Sequence, residues 1–163
     1  MFSLLGWNDG LWLPAKEEEL SMKTPAVWLA LGIMSGAALA AAPAMAETVT
    51  LKADLKAGNE VPPNNSTATG QAEATFDTAT RNLTWTVTYS GLSGPAAGAH
   101  FHGPGEAGKN AGIVLPFPNP TSPIKGSQVL TEAQAADLLA GKWYVNVHTA
   151  ANPGGEIRGQ MTK

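Results

Sequence analysis

Between residues 83 and 89 the chain alternates without a break. Leu83, Trp85, Val87 and Tyr89 fall on one side, and Thr84, Thr86 and Thr88 on the other. Side chains of a strand point alternately to its two faces, so this run is a strand with one buried aromatic face and one wet hydroxyl face. Such a strand needs partners. The same period recurs at 48–55, with Val49, Leu51, Ala53 and Leu55 inward, and at 69–76, 98–102, 142–148 and 156–162. A shorter apolar strand is expected at 112–115. Gly, Asn, Asp, Ser and Pro cluster at 58–65, 77–82, 91–95, 103–112 and 152–155, where they mark loops and turns. The proline-rich stretch 116–123 cannot join a central sheet, because proline offers no ladder donor. One helix is predicted: Thr131 caps it, Gln134 completes the capping box, Leu138 and Leu139 face inward, and Gly141 stops it. About seven strands with one short connecting helix predict an all-β fold, a small antiparallel Greek-key β-sandwich or barrel. Phe101, Trp85 and Trp143 belong to its core.

Every one of these strands lies beyond residue 46. Before them, Lys23 precedes an apolar run from Ala26 to Ala42, and Ala44 and Ala46 follow as small residues. That order is a secretory signal peptide over 22–46, cleaved after Ala46. The run holds only about 17 residues and lacks stop-transfer flanks, so no membrane span is expected after cleavage. Residues 1–21, with Trp7, Trp12 and the acidic run 17–19, fit no signal peptide; they are read as upstream sequence, with Met22 as the start. Residues 47–163 then form one exported domain, periplasmic or extracellular in a bacterium. With a net charge of −3 and no basic cluster, nucleic acid is excluded as a partner. The absence of cysteine excludes disulfides, thiolate-bound zinc and a lipid anchor on cysteine.

Chemistry is concentrated in the histidines, of which there are three. His100 and His102 flank Phe101 on one strand, so both point outward if Phe101 points in. His148 ends the outward row Tyr144, Asn146, His148 of another strand. Three neutral imidazoles meeting on one face are a ligand set for a copper or zinc ion with a further position left open. Alternation places Asn146, Glu156 and Arg158 on the same side of the last two strands, where they are expected to orient the ligands from behind. Ser93 and Ser127 lack a base in sequence context, so no serine hydrolase is indicated.

Several of these stretches are recognisable. Gly58-Asn59-Glu60-Val61-Pro62-Pro63, Tyr89-Ser90-Gly91-Leu92-Ser93-Gly94, Ala99-His100-Phe101-His102-Gly103, Tyr144-Val145-Asn146-Val147-His148-Thr149 and Gly155-Glu156-Ile157-Arg158-Gly159-Gln160 resemble, in that order, the chordin-type (CHRD) domain. The resemblance implies a secreted β domain over 47–163 and fixes no chemistry. A second, local resemblance is to copper/zinc superoxide dismutase, whose copper histidines stand in a similar His-x-His context, with a late one like His148. The fourth, bridging histidine and the zinc subsite have no counterpart. These features support an exported CHRD-domain binding protein holding copper or zinc through His100, His102 and His148. A metal-free structural or adhesive module with an extracellular protein or matrix partner is the alternative. A metalloenzyme acting on a small oxygen species comes third, and no catalytic residue is assigned.

Overall fold

The computed structural model describes residues 47–163; the expected signal peptide at 22–46 and upstream extension at 1–21 lie outside them. Eight strands and one α-helix follow in order: β1 Thr48–Lys56, β2 Thr69–Asp77, β3 Asn82–Ser90, β4 Ala96–His102, β5 Ile113–Pro116, β6 Ile124–Val129, α1 Glu132–Leu139, β7 Tyr144–Thr149 and β8 Ile157–Gln160. All named strand pairs are antiparallel, and the sheet order is β5-β4-β7-β8-β1-β2-β3-β6. The fold is all-β with one short helix, as the period-2 runs require.

The sheet is two four-stranded halves joined at a narrow seam. β1 and β2 pair over nine residues, whereas β1 meets β8 through Lys56 opposite Arg158, with one further bridge between Lys52 and Thr162. Bending at this seam brings the inner faces together. Trp85 of β3 meets Phe101 of β4 edge to face, with ring centroids 5.5 Å apart, although five steps of strand order separate them. Phe117 closes the contact by stacking on Trp85 at 5.4 Å. Around this aromatic centre lie Leu51, Leu55, Phe76, Leu83, Val87, Val145, Val147 and Ile157, all buried. These are the inward residues of the alternating runs, and their removal from water is the main force holding the halves together.

The helix forms as its sequence dictates. Thr131 Oγ1 accepts from the Gln134 amide (3.2 Å), the Gln134 side chain accepts from the Thr131 amide (3.0 Å), and Gly141 takes the left-handed turn at φ 72°. β5 ends at Pro116 on the edge of the sheet, where a missing donor does no harm. β6 is the strand that periodicity does not reveal. Lys125-Gly126-Ser127 offers no apolar alternation, and the segment is strand because it pairs with β3 from Asn82 to Val87. Among the described residues no helix is long and apolar enough to cross a membrane.

Candidate metal centre

On the outer face of β4 stand Gly98, His100 and His102; on that of β7, Tyr144, Asn146 and His148. The register sets Gly98 opposite His148, His100 opposite Asn146 and His102 opposite Tyr144. His148 therefore faces a residue without a side chain, and the His100 ring leans back into that space. A Cβ on Gly98 would stand 3.3 Å from His100 Cε1 and 3.5 Å from its Nε2. The lean brings His100 Nδ1 to 3.3 Å from His148 Nε2. One nitrogen from each of the three imidazoles lies within 4.8 Å of the others.

Backbone carbonyls fix which nitrogens are free. His102 Nδ1 is 3.0 Å from the Ala111 carbonyl and His148 Nδ1 is 3.0 Å from that of Pro153. A carbonyl only accepts, so both Nδ1 atoms carry hydrogen and both Nε2 atoms present lone pairs. In the metal-free protein His100 Nδ1 is then the donor to His148 Nε2. His102 Nε2 is buried and has no partner at all. Buried polar atoms are normally paired, so this lone pair calls for an acceptor of electron density. Two nitrogens bound tetrahedrally at 2.0–2.1 Å from one ion lie roughly 3.3 Å apart, which is the separation of His100 Nδ1 and His148 Nε2. With three uncharged nitrogen donors, two of them backed by a main-chain carbonyl on the other ring nitrogen, the set fits zinc or copper.

Sequence alternation predicts an outward, solvated site, and here the structure differs. The loops 57–67 and 103–112 fold across the outer face, leaving His102 buried and His100 and His148 half-buried. Burial, followed by the neighbouring charges of His148 and His102, holds His100 down to about 4; burial likewise lowers His102. Both rings stay neutral where an exposed histidine would be charged. Tyr144 stacks on His102, with centroids 4.9 Å apart and planes 5° from parallel, and its hydroxyl donates to the Ala111 carbonyl at 3.3 Å. Arg158 lays its guanidinium 3.4 Å from the centroid of the same tyrosine ring. Since β4 and β8 flank β7, the tyrosine separates Arg158 from His102.

The expected supporting residues accordingly divide. Arg158 lies against Tyr144, its charge adding to the lowering of His102, and it is tied to Asn110 Oδ1 (3.0 Å) and the Lys109 carbonyl (2.6 Å). Asn146 turns to Glu60, donating to its Oε2 at 3.1 Å. Glu156 leaves the histidine face. Its carboxylate accepts from Ser66 Oγ (2.7 Å), from the Ser93 amide (2.8 Å) and hydroxyl (2.6 Å), and from Thr149 Oγ1. Gly155, at φ 131°, breaks the alternation just before it. The groups that do orient the imidazoles, the carbonyls of Ala111 and Pro153 and the ring of Tyr144, come from two loops and from a residue that sequence placed only as a facing neighbour. Backbone carbonyls leave no signature in residue types.

The CHRD domain family matches residues 51–161 of the chain. No curated protein and no solved structure matches it.

Proposed function

The chain belongs to the CHRD-domain family, and from that premise we propose that it is an exported protein that binds one copper or zinc ion through His100, His102 and His148. One observation carries the reading: the buried, partnerless Nε2 of His102 at the meeting point of three imidazoles. Export is supported by the basic, apolar and small-residue order of residues 22–46. The chain's own residues hold and orient the rings. On metal binding the proton shared between His100 Nδ1 and His148 Nε2 must leave that line, and His100 Nε2, beside Gly98, can carry it.

Protein purified without chelator is expected to hold one equivalent of copper or zinc and to melt higher when loaded. Free ion at about 100 times Kd adds about 2.7 kcal/mol to the unfolding free energy. His148→Ala should lose the stoichiometric site while keeping the fold, because His148 is half-buried and its strand is held by neighbours on both sides. Wild-type stoichiometry and affinity in that variant would sink the three-histidine site.

The lean of His100 gives a second test. Gly98→Val should push the His100 ring off its position and weaken metal binding tenfold or more, about 1.4 kcal/mol, with the far-ultraviolet spectrum unchanged. Unaltered affinity would show that the lean plays no part. Because burial keeps His100 neutral to about 4, bound metal should survive at pH 6, where unperturbed imidazoles near 6.5 are mostly protonated. Metal release complete by pH 6.5 on titration would contradict that.

A further inference from the structure

One ring away from the histidines lies a buried cation with nothing in contact to neutralise it. Arg158 is 2% exposed, and a guanidinium stays charged at any ordinary pH. Among the described residues the one ion pair within 4.0 Å is Lys52 with Glu73, so no carboxylate touches Arg158. Its hydrogen-bond acceptors, Asn110 Oδ1 and the Lys109 carbonyl, are both neutral. The guanidinium lies 3.4 Å from the centroid of the Tyr144 ring, and the same ring is stacked on His102. Through that stack the charge acts on the imidazole, where it adds to the lowering of His102. It acts on Glu60 too, but burial pushes that carboxyl up to about 7, so below neutral pH Glu60 offsets nothing. The metal cluster brings no anion of its own. It consists of three histidines, with no carboxylate oxygen of the described residues among its ligand atoms. Glu156 is turned away to Ser66, Ser93 and Thr149. The charges that weigh most on His100 and His102 are those of the histidines and of Arg158.

An ion entering this centre therefore meets three uncharged donors, one buried and two half-buried, and a fixed positive charge beside them. Repulsion by a fixed cation grows in proportion to the charge of the ion, and the cost of leaving water grows as its square. Both effects fall hardest on a dication. Protein zinc is held by four ligands, and the cluster offers no carboxylate as the fourth. Monovalent copper is satisfied by three nitrogen donors. Imidazole by itself suits both metals, so charge decides between them. Given the three-histidine site proposed above, on which this rests, we propose that the centre is selective for monovalent copper over zinc, and that the unneutralised charge of Arg158 determines the preference. Arg158 touches no metal ligand. It acts through its field, from the far side of Tyr144.

The test is anaerobic competition on the full exported domain at pH 6, where Glu60 is protonated. Monovalent copper is buffered with bicinchoninate and zinc with a chelating dye. Wild type should bind monovalent copper about tenfold or more tightly than zinc. Asn110→Asp sets a carboxylate on the guanidinium in place of the amide oxygen that Arg158 NH1 already contacts. Asn110 is exposed and gives up only its bond to the Val61 carbonyl, so the domain should stay folded. In this variant, and in Arg158→Gln, the preference should narrow by roughly threefold or more. Arg158→Lys keeps the charge and should keep the preference. The potential of the bound copper couple is a readout that packing alone does not move. It should fall in Asn110→Asp by about 59 mV for each tenfold gain of divalent over monovalent affinity, and hold in Arg158→Lys. A wild-type preference below about tenfold, or a narrowing of less than about threefold in both neutralised variants, would overturn the inference and leave the three-histidine site standing. Protein that binds neither ion would overturn both.

Discussion

Glu156→Gln is expected to remove about 3 kcal/mol or more of unfolding free energy at neutral pH, in line with hydrogen bonds to charge worth about 1.5–3 kcal/mol each. The Glu156 side chain is fully buried, and among the described residues no cation forms an ion pair with it. Burial alone pushes its carboxyl up. The hydrogen bonds from Ser93, Thr149 and Ser66 outweigh that and bring it down to about 2. Four donors converge on two oxygens, and they tie the loop before β2, the β3–β4 connection and the β7–β8 turn to one point. A glutamine keeps one acceptor and turns the other into a donor that confronts hydroxyls and an amide already donating. The linkage runs in one direction. A folded-state value of about 2 against an ordinary 4.5 gives stability that is fully present above 4.5 and lost as pH falls toward 2, of order 3 kcal/mol at 1.36 kcal/mol per unit. Urea titrations of both proteins at pH 7 and pH 3 check this: the gap between them should shrink in acid. A loss below about 1 kcal/mol at pH 7 would mean that the hydroxyl cradle is not what holds the loops.

Glu60→Gln should act with the opposite sign. The folded-state carboxyl titrates at about 7 against an ordinary 4.5, so its contribution is present below 4.5 and lost as pH rises through 7. Glutamine has the same shape, keeps an oxygen for the Asn146 amide and never ionises. The variant should therefore gain on the wild type as pH rises from 4.5 to 9, by up to about 3 kcal/mol, read as a melting-temperature difference that widens with pH. A constant difference would place the Glu60 carboxyl in the ordinary range. His100 pulls the other way: it is kept neutral to about 4, so the metal-free protein loses stability as pH falls from 6.5 toward 4. Between 4.5 and 6.5 the two effects oppose each other, and Glu60→Gln should expose the histidine-driven loss.

Much of this was legible in the residues because it depends on period. The alternation at 83–89 and the Thr131/Gln134 box are local, and local rules decided them. His100, His102 and His148 share a face for the same reason. What alternation does not carry is what lies over a face. The loop 103–112 lies against the buried His102 through Ala111, and the hydrogen bond from Asn146 to Glu60 spans 86 positions of sequence. Glu60 sits in a Gly-Asn-Glu-Val-Pro-Pro stretch that reads as an exposed turn. The position of Glu156 turned on Gly155, whose φ of 131° redirects the chain by one residue. β6 escaped because pairing with a neighbouring strand, not its own pattern, makes it a strand.

The narrow seam between the half-sheets also fixes an order of events. It is built from β1 at the start of the domain and from β8 and Thr162 at its end: Lys56 opposite Arg158, and Lys52 and Thr162 exchanging hydrogen bonds of 2.8 and 2.9 Å. A chain emerging from a ribosome delivers β1 first and residues 157–162 last. Hairpins such as β2–β3 can form early, since their contacts are close in sequence. The two halves cannot lock over Trp85 and Phe101 until the final residues arrive. Until then the seam that joins them is missing.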